Sequence, residues 1–197
     1  DEATVEFFFE DGIFGPPDTV VTTDANGMFN VEINTCDPYT YRITTDPVLD
    51  MTKTTIESHD VVPNQGIVNP SHEVQSVSST TYALIPTLLG VSPKVDKGIV
   101  AGRAYDCAAN NLQGLQVMIE DSSGNIPDGV VAKYFIDDFP NRNQPYTSED
   151  GLWILMDVPV GDWVVKGYVA DGLGGHTLVA RTELKVLADS INISSIY

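Results

Sequence analysis

The chain is a succession of short apolar runs with a period of two, each closed by turn-forming residues. Residues 28–33 show the pattern: Phe29, Val31 and Ile33 fall on one face, Asn30 and Glu32 on the other. Successive strand side chains point to opposite sides, so this alternation predicts a half-buried strand. Asp24-Ala25-Asn26-Gly27 precedes it, and Asn-Gly supplies the positive φ angles of a tight hairpin. Residues 5–10 (VEFFFE, ended by Asp11-Gly12), 19–23 and 39–44 (YTYRIT) also read as strands. Pro47, Pro63 and Pro70 interrupt residues 46–78, which leaves shorter strands near 54–56, Ile67 and 73–77. From Gly98 the pattern becomes regular, with strands expected at 99–106, 116–120, 130–136, 152–158, 163–170, 177–186 and 191–196. Turns recur roughly every 8–12 residues, as in an all-β sandwich. A parallel α/β sheet is excluded, because the crossover helices are missing.

One segment differs. Ser78-Ser79-Thr80-Thr81 followed by YALIPTLLG predicts a short helix, N-capped by Ser or Thr and C-capped by Gly90, with Pro86 inside it. Helix and linker, residues 79–97, then separate an N-terminal sandwich, 1–78, from a C-terminal one, 98–197.

Charge narrows the function classes. The 28 acidic residues outnumber the 10 basic ones, for a net charge of −18. Nucleic-acid binding needs a Lys/Arg surface, so it is excluded, and an anionic membrane surface is disfavoured. The plain reading of the charge is a solvated coat. No run reaches the roughly 18 apolar residues of a membrane span. The composition, low in Lys and rich in Thr, Val, Asn and Gly, resembles that of exported bacterial β-proteins, and Asp1 could follow a cleaved signal peptide. The expected place is therefore extracellular or at a bacterial cell surface.

The two halves share a motif. TTDANGMFNVEI leads to YTYRIT in the first, and TSEDGLWILMDVPVG leads to DWVVKGYV in the second. Gly27 corresponds to Gly151, Phe29 to Trp153, and Tyr41 to Trp163 or Val165. In each, a large aromatic turns inward just after a glycine turn and anchors a small core. In the second half, Gly98-Ile99-Val100-Ala101-Gly102, Leu112-Gln113-Gly114-Leu115-Gln116-Val117, Ser148-Glu149-Asp150-Gly151-Leu152-Trp153 and Val158-Pro159-Val160-Gly161-Asp162-Trp163 stand in sequence. In order and spacing residues 98–197 resemble the carboxypeptidase regulatory-like domain, a transthyretin-like sandwich; the first half matches only around 24–41. The resemblance implies an all-β fold of two tandem Ig-like/transthyretin-like antiparallel β-sandwiches joined by a short helix-containing linker. It also implies a structural or binding role, since the family mostly supplies non-catalytic modules. Residues 118–146 are longer than the family pattern and read as an insertion, where function often resides.

No catalytic set stands out. His59, His72 and His176 share no metal-ligand spacing, and no Gly-x-Ser-x-Gly elbow is present. Transthyretin-like purine-catabolic hydrolases end in Tyr-Arg-Gly-Ser, whereas this chain ends Ser194-Ser195-Ile196-Tyr197. With 28 acids, carboxylate pairs arise by chance and single out no glycosidase. The insertion gathers oxygen donors, Asp137, Asp138, Asn141 and Asn143, followed by Glu149 and Asp150, which suits calcium as the one candidate cofactor. It also offers Tyr134, Phe139, Arg142 and Tyr146 to a glycan or protein partner. Cys36 and Cys107, one per half, are either an inter-domain disulfide or two buried thiols. The disulfide would close a loop of about 70 residues and add roughly 4 kcal/mol.

The leading expectation is a non-catalytic structural or interaction protein of the cell exterior. One form is a self-assembling fibre subunit, with the strand-like ends (Val5, Phe7 and Phe9; Ile193 and Ile196) completing a neighbouring sheet by β-augmentation. The alternatives are a glycan- or peptide-binding module, calcium-dependent through residues 134–150, and an unrecognised hydrolase.

Overall fold

The computed structural model describes residues 2–9, 13–46, 48, 52–62, 73–170 and 175–197. It is almost wholly β, with one helix among the described residues. The chain divides into two compact units, Asp1–Thr80 and Thr81–Tyr197. No described helix is long and apolar enough to cross a membrane.

The N-terminal unit contains β1 (Ala3–Phe8), β2 (Thr19–Thr22), β3 (Pro38–Thr45), β4 (Thr52–Lys53), β5 (Thr55–Val61) and β6 (Val77–Ser78). β2, β1, β3 and β5 lie side by side as an antiparallel sheet, and β4 pairs with β6. Val5 stands opposite Ile43 and Phe7 opposite Tyr41. Period two therefore gathers Val5, Phe7, Tyr39, Tyr41 and Ile43 in one buried cluster. The Phe7 ring lies 5.9 Å from Phe29 and from Tyr39, and 6.5 Å from Tyr41. Each fully buried side chain of this kind contributes about 1.5–3 kcal/mol. Glu6 and Arg42 face each other across the same two strands, where the guanidinium forks onto the carboxylate at 2.6 and 2.9 Å.

Residues 28–34 depart from expectation. Their side chains alternate as the pattern predicts: Phe29, Val31 and Ile33 pack on the buried cluster while Asn30, Glu32 and Asn34 are exposed. Yet the segment joins no ladder, and among the described residues Phe29 to Asn34 make no backbone hydrogen bond. Periodicity reports which side faces the core, whereas pairing depends on a neighbour that local sequence does not supply. The strand expected over 73–77 reduces to β6, and Val74 packs on the same cluster. Within the described residues, Phe29, Val31, Ile33 and Val74 thus cover the cluster from chain that belongs to no hydrogen-bonded sheet. The expected turn at Asp11-Gly12, the breakers Pro47, Pro63 and Pro70, and the strand at Ile67 lie outside the described residues.

Helix α1 (Ser79–Leu89) begins at the division between the units. It ends as the sequence predicts, on Gly90 at φ 74°, with the Gly90 and Val91 amides donating to the Thr87 and Pro86 carbonyls. Then follow β7 (Lys97–Arg103), β8 (Gln116–Glu120), β9 (Val131–Ile136), β10 (Phe139–Asn141), β11 (Leu152–Pro159), β12 (Gly161–Ala170), β13 (His176–Val186) and β14 (Ile191–Ile193). β10, β9, β11, β7 and β14 lie in that order in one sheet, and β13, β12 and β8 form another. Val100, Tyr134, Trp153 and Leu155 from the first sheet pack with Val117, Ile119, Val165 and Leu184 from the second. This unit is a two-sheet sandwich.

Its C-terminal strand corrects the antiparallel expectation. β14 runs parallel to β7, with Ile191 opposite Ile99, and a further parallel bridge joins Ala104 to Ile196. The close approach needs glycine: a Cβ on Gly102 would sit 1.9 Å from the Ser194 carbonyl oxygen.

Candidate functional site

The oxygen donors of the insertion lie in turns, where backbone amides and Arg103 engage several of them. Asp137 and Asp138 take positive φ angles of 53° and 61° and make the two-residue turn between β9 and β10. Arg103 donates to the Asp138 carboxylate at 3.2 Å. Asp150 accepts the Asp138 amide at 3.1 Å and the Leu152 amide at 2.9 Å. The Asn141 carbonyl oxygen accepts the amides of Asn143 and Gln144, and the Glu149 backbone oxygen accepts from Asn111. These oxygens are occupied by local turn geometry, and among the described residues no three His, Cys, Asp or Glu side chains are placed to hold a metal.

The expected binding surface also separates. Tyr134 is a core residue, and its hydroxyl accepts the Val117 amide at 2.8 Å. Burial raises its pKa. Arg142 reaches α1 and donates to the Leu88 and Thr87 carbonyls at 2.6 and 3.1 Å. A cation there adds a donor to the last carbonyls of the helix and complements its dipole. Phe139 and Tyr146 are exposed, and Arg142, though tied to the helix, is exposed as well.

Most of the terminal residues expected to assemble lie inside their own units. Val5 and Phe7 belong to the buried cluster of the N-terminal unit and Ile196 to that of the C-terminal unit. Ile193 lies in β14, beside Ala101. Only Phe9 is exposed. The strand-like ends, β1 and β14, are paired with strands of their own units. Cys36, in the first unit, and Cys107, in the second, are both exposed, which corrects the buried-thiol reading. Each sits in a turn: Cys36 at φ 66°, and Cys107 inside the loop whose Ala108 and Asn110 amides Asp106 accepts. His59 and His176 are exposed, and His72 lies outside the described residues.

Polar groups that the sequence reading passed over form the more ordered clusters. Tyr39 donates to Asp60 at 2.7 Å, and Tyr41 donates to Glu57 while accepting the Gln75 amide at 2.7 Å. Burial foremost, and then the adjacent carboxylates, hold both phenols well above their ordinary pKa, so they stay neutral donors. The clue was visible as Y-T-Y alternation on β3, but its carboxylate partners come from β5. On the C-terminal unit Lys166 pairs with Glu120, which also accepts from Tyr168. The Glu120 hydrogen bond raises the Lys166 pKa. Asp157, at φ 60° in a bulge of β11, accepts the Lys94 amide at 2.9 Å and faces its ammonium at 3.3 Å. All these arrangements clamp strands and linkers. Among them no nucleophile stands beside a base that a third group orients.

The N-terminal unit carries an open feature. A cavity of about 310 Å³ opens beside Gly27, with Ala3, Val5, Ile43 and Val74 as its apolar wall and Thr23, Thr45, Thr52 and Ser76 as polar lining. It adjoins the start of residues 28–34, where Phe29 to Asn34 make no backbone hydrogen bond among the described residues.

No family model matches the chain, and no curated protein matches it. Several solved structures resemble it. The Bacillus anthracis TIE protein is 15% identical, with 98% of this chain and 29% of that one covered and a TM-score of 0.31. BcpA, the major pilin subunit of Bacillus cereus, is 14% identical over 84% of this chain and 40% of that one, with a TM-score of 0.30. A variant of the major pilin of Streptococcus pyogenes is 12% identical over 100% and 91%, with a TM-score of 0.26. The chain thus spans less than half the length of the first two, and none of the three defines a family for it.

Proposed function

We propose that this chain is a non-catalytic interaction and structural module of a bacterial cell exterior, acting as a subunit of a surface assembly. One observation supports the reading. Every polar cluster described above resolves into a turn, a helix cap, a cross-strand pair or a strand-to-linker clamp, such as Asp138 with Asp150, Arg142 with α1, Glu120 with Lys166, and Asp157 with Lys94. Chemistry needs groups held out of such pairs and aimed at a common point. What remains available for function is surface. The acidic composition and the sequence blocks of residues 98–197, which resemble carboxypeptidase regulatory-like domains, agree with an exported module.

The test is the native mass, by light scattering, of protein taken from its source. A particle much larger than the 21.4 kDa chain supports an assembly subunit. A bare monomer rejects it, and turnover of any ester, peptide or glycoside by the pure protein rejects the non-catalytic reading.

A further inference from the structure

We propose that residues 28–34 form a strand-docking edge that captures an extended, basic segment of a partner protein. This rests on the interaction-module reading and names the partner's chemistry. Three observations carry it. First, the segment already has strand-like alternation, with Phe29, Val31 and Ile33 seated on the core, yet its backbone from Phe29 to Asn34 is unpaired among the described residues. An unpaired extended edge is a template for an added strand. Proteins that must prevent such pairing place Lys, Pro or a bulge on the edge, and Met28-Phe29-Asn30-Val31-Glu32-Ile33-Asn34 has no Lys and no Pro. Second, the cavity walled by Ala3, Val5, Ile43 and Val74 adjoins Gly27, where the edge begins. It offers an apolar seat for a side chain of the incoming strand.

Third, charge selects the occupant. Residues 1–80 contain 14 Asp and Glu but only two basic residues, Arg42 and Lys53, and Arg42 is bound to Glu6. Glu32 stands exposed on the edge itself. An opposite charge across a strand pair stabilises it, and a like charge opposes it. A second copy of this chain, at net −18, meets repulsion, whereas a segment with Lys or Arg alternating with small apolar residues meets attraction on both counts.

The probe is a dye-labelled eight-residue peptide of alternating lysine and valine, titrated into the full chain by fluorescence anisotropy at low salt. Three controls separate docking from adsorption onto an acidic surface. A glutamate–valine peptide has the wrong charge. A lysine–valine peptide N-methylated at alternate amides keeps charge and side chains but cannot pair. Val31→Pro keeps the protein's charge and removes one edge donor. The expected result is binding of the lysine peptide, weakened at least about tenfold by methylation and by Val31→Pro, with no binding of the glutamate peptide. Thermal unfolding checks that the variant folds, and the methylated peptide makes the test without altering the protein. Equal binding of the methylated peptide would overturn the proposal, because attraction would then be charge alone. So would absence of binding, or concentration-dependent self-association through residues 28–34. If docking fails while protein from its source is still a large assembly, only this site is wrong; a bare monomer from its source removes the reading beneath it.

Discussion

The Gly27-x-Phe29 and Gly151-x-Trp153 hairpins start from one pattern and reach different ends. Trp153 enters β11, which is flanked by β7 and β9, and lies 1% exposed in the core of a two-sheet sandwich. Phe29 enters an extended segment that pairs with no strand among the described residues, and is only half-buried. The outer positions account for the difference. After Trp153 come Ile154, Leu155 and Met156, so both faces of β11 are apolar and buried. After Phe29, Asn30 and Glu32 alternate with Val31 and Ile33, so one face stays wet. A strand that is apolar on both faces belongs inside a sheet, while a one-faced strand can cover a core without pairing.

Substitutions at the matched positions should reproduce this asymmetry. Trp153→Ala should cost about 3–5 kcal/mol in urea unfolding, as for a fully buried aromatic, and Phe29→Ala about 1–2 kcal/mol. Equal losses would erase the distinction. Next come the glycines. A Cβ on Gly151 would meet the Ala104 carbonyl oxygen at 2.8 Å, whereas one on Gly27 meets nothing within 4 Å. Both have positive φ, 68° and 78°. Gly27→Ala should therefore show the backbone cost alone, about 1 kcal/mol, and Gly151→Ala more than about 2 kcal/mol.

A smaller effect separates the units in alkali. The folded pKa values of Tyr39 and Tyr41 are raised, by burial first and by neighbouring carboxylates second. The stability they contribute is full below the unfolded phenol value near 10 and is lost as pH rises above it. Tyr41→Phe should cost about 1–2 kcal/mol at neutral pH, through loss of the Glu57 and Gln75 bonds, and should shrink the drop in Tm between neutral and strongly alkaline buffer. An unchanged drop would show that Tyr41 does not govern it. The smallest effect is in acid. Asp24 in the first unit and Asp121 in the second each accept turn amides, from Met28 and Asn26 and from Asn125 and Ser123, and both pKa values are lowered from 3.8. Their contribution is present above that value and lost as pH falls through the folded pKa. Asp24→Asn and Asp121→Asn should each reduce stability slightly at neutral pH and flatten the acid limb, and a steeper limb would contradict this.

Local signals carried much of the fold. β8 coincides with the expected 116–120, and α1 ends at its glycine, because alternation and cap residues act within a few positions. What lay beyond reach depended on distant partners. The lack of backbone partners for Phe29 to Asn34 among the described residues and the parallel seat of β14 beside β7 are matters of neighbours. The aspartates of the insertion are as rich in oxygen as a calcium loop, but their φ angles and amide partners make them turn residues. Tyr134 and Arg142 resemble a recognition pair by composition, yet one fills the core and the other caps a helix. Tyr39 and Tyr41 were legible as strand residues, whereas their acids, Asp60 and Glu57, became partners only across the β3–β5 pairing.

Amide hydrogen exchange of the free chain tests the central contrast most directly. The amides of residues 29–34 should exchange within about tenfold of the unstructured rate, while those of 153–156 should be protected by a factor of roughly a thousand or more. Protection of residues 29–34 comparable to that of 153–156 would mean that the edge is already paired, and would contradict the account.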